Sequence, residues 1–289
     1  MRGKDRKPRR AAGPKQPARP DVASDATVLD RLHAHLDRLG LSDLKERLPE
    51  YLAWAKADRA DGLDLLERVF GEAAGRKLER VVERRITSSG LRTRKTLEGF
   101  EWAFQPKLDR ALILELATFR FVDRGEDVLV TGKSGTGKSH LLQALALRAC
   151  HRELIVRYAR CVDLLDDLHA GLADGTYQRR LAAWTRPVLL VLDDVGLGHV
   201  KKRDDEPTAA HSLFNLLDRR HEARRSTALT SNIRLGDWGR YLGDAILAAA
   251  VLDRLAEHSI RIDIDGPSYR QHLARQRAQH YGNETAADA

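Results

Sequence analysis

The stretch Gly132-Lys-Ser-Gly-Thr-Gly-Lys-Ser139 follows the pattern G-x-x-x-x-G-K-[ST] without a gap. Glycines at this spacing let the backbone curl, so that several N–H groups point at one anion. In this pattern the lysine reaches the β- and γ-phosphates of a nucleotide, and the hydroxyl that follows can ligate Mg²⁺. An apolar strand-like run precedes the stretch at 127–131, and a helix-length apolar run follows at 140–149. The sequence therefore predicts a phosphate-binding loop between a strand and a helix.

The residues predicted to bind the nucleotide are those of the loop and the one after it: Gly132, Lys133, Ser134, Gly135, Thr136, Gly137, Lys138, Ser139 and His140. The alternative interpretation is a plain Gly/Ser linker. The apolar runs on both sides argue against it, because a linker has no reason to be flanked by a buried strand and helix.

A second motif lies further along the chain, where the aliphatic run that begins at Pro187 ends in Asp193 and Asp194. Continuous apolar runs are typical of strands buried on both faces of a parallel sheet, and ligands lie beyond the carboxyl ends of such strands. We expect Asp193 to hold Mg²⁺ together with Ser139, and Asp194 to polarise the attacking water. Asn232, at the end of the next strand-like run, either positions that water or is an ordinary turn residue.

Length and composition fit a globular protein with one large domain and a smaller companion. The chain has 289 residues, of which 42% are hydrophobic and 32% are charged. No apolar run reaches membrane length, and no apolar segment follows the basic N-terminus to form a secretory signal. Cys150 and Cys161 lack metal-ligand spacing, and the histidines form no H-E-x-x-H motif. We therefore expect a cytoplasmic protein without membrane contact or zinc.

Positive charge is concentrated in two segments. Residues 1–20 carry +7 of the net +8, and residues 76–95 carry +6, which leaves the remainder mildly acidic. This distribution predicts a disordered basic tail, 1–24, and contacts with nucleic acid outside the nucleotide-binding core. The alternative is a solubilising tail and a solvated helix face. The predicted DNA-binding residues are Arg76, Lys77, Arg80, Arg84, Arg85, Arg92, Arg94 and Lys95.

The periodicity of apolar residues changes along the chain. Leucines at helical spacing predict a small all-α domain, 25–90, that contacts DNA or a partner. Beyond residue 107, helix-like and strand-like runs alternate, beginning with a predicted helix at 108–122, which indicates an α/β domain with a parallel sheet flanked by helices. The predicted divisions after the helical domain are a connector, 91–107, the nucleotide-binding domain, 108–270, and a C-terminal helix and tail, 271–289.

Beyond these separate motifs, most of the chain resembles the IstB family, the helper ATPases of a class of bacterial insertion sequences. It is more distantly similar to the DnaC helicase loaders. The resemblance covers about 27–280 and is carried by Arg94–Trp102, Gly132–Ser139, Leu192–Gly196, Thr230–Ile233 with Trp238-Gly239, Ala249–Leu255 and Gly266–Arg270.

The resemblance implies an AAA+ P-loop ATPase that uses ATP and Mg²⁺. It also implies a homo-oligomer on double-stranded DNA that helps a transposase to select and engage its target. In the family pattern Arg254 reaches the γ-phosphate bound by a neighbouring subunit, which makes hydrolysis depend on assembly. The alternative for Arg254 is an ordinary surface arginine near a helix C-terminus, where the helix dipole favours it.

Two positions depart from the pattern. Lys133-Ser134 stands where the family often has Pro-Pro, which predicts a less rigid loop. Asp194 stands where AAA+ proteins often have Glu, and its reach is shorter by roughly 1.5 Å, the length of one C–C bond. We therefore expect slow hydrolysis, which would suit a clamp that persists on DNA. The charged segment 201–206 is interpreted as a solvated loop, with a DNA-facing loop as the alternative.

Two other functions stay open at this stage. A DnaC-like loader of a replicative helicase would use the N-terminal helices to grip the helicase, and a pull-down of helicase or transposase separates the two cases. A P-loop kinase for small molecules would need an acceptor pocket and a mobile basic lid, and the sequence shows no such lid.

Overall fold

The computed structural model describes residues 25–197 and 209–277. The predicted basic tail, the charged segment 201–206 and the end of the chain from residue 278 lie outside the described residues. The chain divides into two compact units, 1–78 and 79–289.

The first unit is helical. Its elements are α1 (Asp25–Arg38), α2 (Ser42–Ala57) and the beginning of α3 (Gly62–Ser89). The unit has a small core of its own around Leu36, Leu44 and Tyr51. The predicted helical domain extends to the end of α3, whereas this compact unit ends within α3, at Leu78. The predicted domain bounds stay a prediction.

The second unit is built on a five-stranded parallel sheet with the strand order β2-β3-β4-β1-β5. The strands are β1 (Asp127–Gly132), β2 (Val156–Arg160), β3 (Leu189–Val195), β4 (Ser226–Ser231) and β5 (Ser259–Ile264). The helices are α4 (Arg110–Leu116), α5 (Arg120–Arg124), α6 (Lys138–His151), α7 (Cys161–Ala173), α8 (Tyr177–Thr185), α9 (Ala209–Glu222), α10 (Trp238–Leu242) and α11 (Ala245–His258). A further helical stretch covers 269–277.

Each inner strand buries both faces because successive side chains point to opposite sides of the sheet. In β1, Val128 and Val130 pack into the core that contains α6, whereas Leu129 packs into the core that contains α7 to α11. This arrangement explains the aliphatic runs of β1 and β3. The predicted α/β class, with a parallel sheet between helices, is confirmed.

The single helix predicted at 108–122 is wrong. The structure has two short helices there, α4 and α5, separated at Phe119, whose φ of 65° lies in the left-handed region. The side chain of Phe119 is buried in the core beside Phe121. A straight helix would not deliver that ring to the core, so packing overrides the local helical pattern.

Candidate functional site

The loop between β1 and α6 is enclosed by neighbouring segments. Gly135 and Gly137 have φ values of 83° and 101°, which residues other than glycine adopt only at an energetic cost. A Cβ on Gly135 would lie 2.1 Å from the Ser268 hydroxyl oxygen, and one on Gly137 would lie 2.6 Å from the Phe100 ring. The glycines are therefore required by close packing as well as by the curl of the loop.

Lys138, the first residue of α6, is buried beneath the loop. Its Nζ donates hydrogen bonds to the carbonyl oxygens of Gly132 (2.7 Å) and Lys133 (2.8 Å). Burial lowers the pKa of this ammonium, while the carboxylates of Asp194 and Asp193 oppose the change. A cation held only by backbone carbonyls can turn towards phosphate oxygens without leaving a buried carboxylate unpaired.

Asp193 receives donors from three neighbouring elements. Its Oδ1 accepts from the hydroxyls of Ser139 (2.9 Å) and Thr230 (2.5 Å), and its Oδ2 accepts from the Tyr158 hydroxyl (2.5 Å). The two residues predicted to hold Mg²⁺ therefore lie in direct contact, although they are far apart in sequence. A hydroxyl and a carboxylate are oxygen ligands of the kind that Mg²⁺ takes when phosphates and waters complete its shell.

The described residues offer no alternative cage for a metal. Across 25–197 and 209–277, no three His, Cys, Asp or Glu side chains are grouped closely enough to enclose an ion. The Ser139 and Asp193 pair fits a metal that is bound jointly with a nucleotide, because two protein ligands alone leave most of an octahedral shell open.

Asp194 and Asn232 face the cavity above the loop. Asp194 has a φ of 59°, and the register of β3 with β4 shifts between Leu192 and Val195, so its side chain leaves the sheet. Burial raises the pKa of the Asp194 carboxyl, Asp193 adds to the rise and Lys138 opposes it. The Oδ1 atom of Asn232 is buried without a hydrogen-bond partner among the described residues. These two groups are placed where a water could be held.

The cavity has a volume of about 280 Å³ and is lined by three parts of the second unit. Residues 134–140 form its floor, and Asp194 and Asn232 lie on one side. The rest comes from the connector and from the beginning of the last helical stretch: Thr93, Lys95, Gly99, Phe100, Glu101, Phe104, Gln105, Tyr269 and Arg270, with Gln143 and Leu197.

The connector and the last helical stretch contain none of the residues predicted to bind the nucleotide. Phe104 packs edge-on against Tyr269 with ring centroids 5.1 Å apart, and the Tyr269 amide donates to the Gly135 carbonyl at 2.9 Å. Arg270 lines the cavity and helps to lower the pKa of Lys138, so it adds a second cation to the site. The aromatic residues of the connector were the available signal, because exposed linkers seldom carry several of them.

Predicted residue His140 lines the cavity, but its ring is engaged elsewhere. Its Nε2 lies 2.8 Å from the Thr96 carbonyl oxygen, and its ring packs edge-on against Phe100 at 5.4 Å. His140 therefore fastens the connector to α6.

Arg254 lies apart from the loop. It is on α11, pairs with Asp218 of α9 and packs against the Phe214 ring at 5.6 Å. The structure does not bring Arg254 together with Lys138 within one chain.

The residues predicted to bind DNA differ in their surroundings. Arg76 is engaged within the first unit by hydrogen bonds to a carboxylate and a phenol. Lys77, Arg80 and Arg84 have exposed side chains on α3, and Arg85 is half-buried. The exposed members are the better placed for a phosphate backbone.

The last three members of the set follow α3. The Nη2 atom of Arg92 lies 3.7 Å from the Oδ2 atom of Asp163, and Arg94 forms a salt bridge with Glu83. Lys95 lines the nucleotide cavity, where its charge also suits a phosphate. Its assignment to DNA stays a prediction, and the cavity offers it a second role.

The fold and this site together define a class. A parallel sheet in this order, with a glycine-rich loop after β1 and a carboxylate at the end of β3 against the loop serine, is the arrangement of an AAA+ P-loop nucleotide-binding domain. DnaA from Aquifex aeolicus, solved with bound AMPPCP, shares the fold with a TM-score of 0.51 and 22% identity, covering 66% of this chain and 56% of that one.

The chain belongs to the IstB-like ATP-binding protein family, whose model matches residues 34–278. It is 33% identical to the ATP-binding protein of insertion sequence IS5376 from Geobacillus stearothermophilus, over 83% of this chain and 94% of that protein. It is 34% identical to the ATP-binding protein of insertion sequence IS21 from Pseudomonas aeruginosa, over 84% of this chain and 89% of that protein. The predicted family is confirmed. Within the described residues, no helix combines the length and apolar character needed to span a bilayer.

Proposed function

We propose that this protein is an ATP-dependent, DNA-binding ATPase that oligomerises on double-stranded DNA and assists a transposase in selecting and entering its target. The observation that carries the proposal is the contact between Ser139 and Asp193 (2.9 Å) beside a cavity that also holds Asp194 and Asn232. Such a constellation suits hydrolysis of a bound nucleotide. Relatives named for insertion sequences supply the biological context.

Each side chain then has a chemical part. Lys138 turns its ammonium from the loop carbonyls to the β- and γ-phosphates, and Ser139 and Asp193 would hold Mg²⁺, which supplies charge neutralisation there when bound. Asp194 and the Asn232 amide orient a water, and the Asp194 carboxylate accepts its proton as the water attacks the γ-phosphorus and ADP leaves. The raised pKa of Asp194 makes its carboxylate a better proton acceptor, and its short side chain keeps turnover slow.

DNA contact is assigned to the exposed basic face of α3. Lys77, Arg80 and Arg84 present their side chains to solvent, and none of the three lines the nucleotide cavity. Because phosphate contacts release counterions, each one lost should reduce the salt slope of binding by about one unit.

The first experiment measures duplex affinity against salt concentration for the wild type and for a variant with Lys77, Arg80 and Arg84 changed to Ala. We expect weaker binding on every sequence and a smaller slope, together with lost DNA stimulation of ATP hydrolysis. The matched control changes the exposed Arg120, Arg152 and Arg179 to Ala, which removes the same charge elsewhere. Equal losses of DNA affinity and salt slope in both variants would mean that α3 contributes only through the net charge of the protein and not as a specific contact surface.

The oligomeric part of the proposal rests on Arg254, which lies apart from its own loop and is free to serve a neighbour once its pair with Asp218 opens. Arg254→Ala should bind ATP and fail to hydrolyse it. Mixed with Lys138→Ala, it should recover part of the activity, because a subunit with an intact loop can adjoin one with an intact arginine. A mixture that co-assembles without recovery contradicts the assignment in trans.

The kind of partner decides between the main proposal and a helicase loader. The relatives at 33% and 34% identity come from insertion sequences, which favours a transposase. Capture of a purified insertion-sequence transposase, but not of a replicative helicase, is the expected result of a pull-down.

A further inference from the structure

Tyr158 lies in β2, next to β3, the strand that carries Asp193, and it belongs to none of the motifs described above. Its hydroxyl donates to the Asp193 Oδ2 atom at 2.5 Å and accepts from the Gln143 side-chain amide at 3.0 Å. The ring and the hydrogen bond to Asp193 are buried, whereas the hydrogen bond from Gln143 is half-buried. A phenol that donates to one carboxylate oxygen leaves the other oxygen, Oδ1, to Ser139 and Thr230.

The hydrogen bonds continue in one direction to the rim of the cavity. The Thr93 hydroxyl donates to the Gln143 side-chain oxygen at 2.5 Å, the Gln143 amide donates to Tyr158, and Tyr158 donates to Asp193. Donors aligned head to tail polarise one another, which strengthens each bond of the row. Thr93 and Gln143 line the nucleotide cavity, so the row runs beside the ligand from the connector to the carboxylate.

The other attachment of Tyr158 is to the end of α3. Gly90, the residue after the helix, has a φ of 82°, and a Cβ on it would lie 2.7 Å from the Tyr158 carbonyl oxygen. The turn after the arginine-rich helix is thus seated directly on the backbone of Tyr158. Thr93, three residues further along, begins the side-chain row to the same tyrosine.

We propose that Tyr158 is a positioning residue for the Mg²⁺-holding carboxylate, and that Gln143 and Thr93 join it to the end of α3 so that bound DNA tightens Mg²⁺ binding. Tyr158 fixes Oδ2 and so aims Oδ1 at the position beside Ser139. DNA bound to α3 restricts motion of the turn at Gly90 and so maintains the hydrogen bond from Thr93 to Gln143. This inference rests on the proposed function, and it adds the set of contacts through which DNA binding affects the nucleotide site.

The first test measures Mg²⁺ binding without hydrolysis. A fluorescent, non-hydrolysable ATP analogue is bound to the protein while Mg²⁺ is titrated. Loss of a group that orients a metal ligand typically weakens the metal by 10- to 100-fold. Tyr158→Phe keeps the ring and removes both hydrogen bonds, so it should raise the Mg²⁺ midpoint about tenfold and leave affinity for the analogue in EDTA unchanged.

Tyr177→Phe is the matched control, because Tyr177 also accepts a side-chain amide hydrogen bond, from Asn215, and does not line the cavity. Its Mg²⁺ midpoint should equal that of the wild type. An unchanged midpoint in Tyr158→Phe overturns the inference. A wild type that binds the analogue without any Mg²⁺ dependence contradicts the proposed function itself, so the two failures are distinct.

The second test concerns the link to DNA and uses exposed Thr93, which can be changed with little risk to folding. Saturating duplex should lower the wild-type Mg²⁺ midpoint by about fivefold or more, the usual range of coupling between sites. Thr93→Val should lose this shift, and Thr93→Ser, which restores the hydroxyl, should retain it. Adding Thr93→Val to Tyr158→Phe should not raise the Mg²⁺ midpoint further, because the row of hydrogen bonds is already interrupted at Tyr158. Additive effects, or a shift that survives Thr93→Val, contradict the link.

Discussion

Lys138 and Arg220 are both buried cations at the central sheet, one at its carboxyl end and the other at its amino end. Lys138 donates to two loop carbonyls beside an open cavity. Arg220 is fully buried and donates to Thr227 and to backbone carbonyls: those of Trp184, Thr185, Pro187 and Ser226. One cation faces space that a ligand can fill, whereas the other ties the amino ends of the strands together.

The pKa values of the ionisable groups do not show this contrast, because burial shifts those of Lys138 and Asp194 at the carboxyl end as well. Burial raises the pKa of Asp127 at the amino end to about 6, and burial lowers that of Arg220 to about 9. Perturbed pKa values therefore occur at both ends and do not by themselves mark a functional site. What distinguishes the carboxyl end is the cavity, beside which Asn232 Oδ1 has no hydrogen-bond partner among the described residues; buried atoms without a hydrogen-bond partner, Glu126 Oε2 and Ser259 Oγ, occur at the amino end as well.

The largest expected effect is at the amino end. Arg220→Met removes the donor of several buried backbone carbonyls, and each buried acceptor left unpaired costs about 1–3 kcal/mol, so the total should exceed about 3 kcal/mol. We expect a free energy of unfolding lower by that amount in denaturant titration, with normal ATP affinity in the folded fraction. Arg219→Met, at the exposed neighbouring position, is the control. Weak nucleotide binding by fully folded Arg220→Met protein would mean that the two ends are not separate in function.

The next effect is at the carboxyl end. Lys138→Ala should weaken ATP binding by roughly 100-fold, about 3 kcal/mol, because the phosphates lose a charge-assisted partner. Its melting temperature should stay close to that of the wild type, since the carbonyls that Lys138 releases lie next to an open cavity. Titration calorimetry and thermal melting measure the two quantities, with the exposed Lys107→Ala as control. Unchanged ATP affinity would contradict the assignment of this loop as the phosphate-binding loop.

The smallest effect depends on pH and concerns Asp127. Because its folded pKa is about 6 and the unfolded value is 3.8, the folded state binds the extra proton between these values, and stability falls as pH rises through that window. Asp127→Asn keeps an acceptor for the Thr227 amide and lacks this titration. Its free energy of unfolding, relative to the wild type, should rise by about 2 kcal/mol between about pH 4.5 and 7. Parallel pH profiles would show that Asp127 is ionised throughout.

The sequence was sufficient for the parts of the site that follow from motif chemistry. Ser139 and Asp193 were paired by type and context, and they lie in contact. Tyr158 could not be found in this way, because a tyrosine in a strand has the same pattern whether its hydroxyl meets a carboxylate or solvent. Thr230 belonged to a recognised stretch, but its bond to Asp193 follows only from the strand order, which places β4 beside β3.

Local pattern also failed where packing sets the backbone. The helix predicted at 108–122 is interrupted so that Phe119 can enter the core. The sequence indicated a less rigid loop at Lys133-Ser134. The structure shows supports that no local motif encodes: the Thr136 hydroxyl donates to the Lys133 carbonyl at 2.9 Å, and the Tyr269 amide donates to Gly135. How rigid the loop is stays a prediction.

The close packing of Phe100 on Gly137 also has a consequence for how such chains diverge. With only 2.6 Å between the ring and the position of an added Cβ, a side chain at Gly137 would collide with Phe100, and the φ of 101° disfavours a side chain there in any case. Among relatives, the glycine should therefore be retained, and replacements at the position of Phe100 should be limited to side chains that pack against a bare backbone. The phosphate loop and the connector then evolve as one inherited piece, and a recombination event that exchanged the nucleotide-binding core without the segment before it would separate the glycine from the ring that fits it.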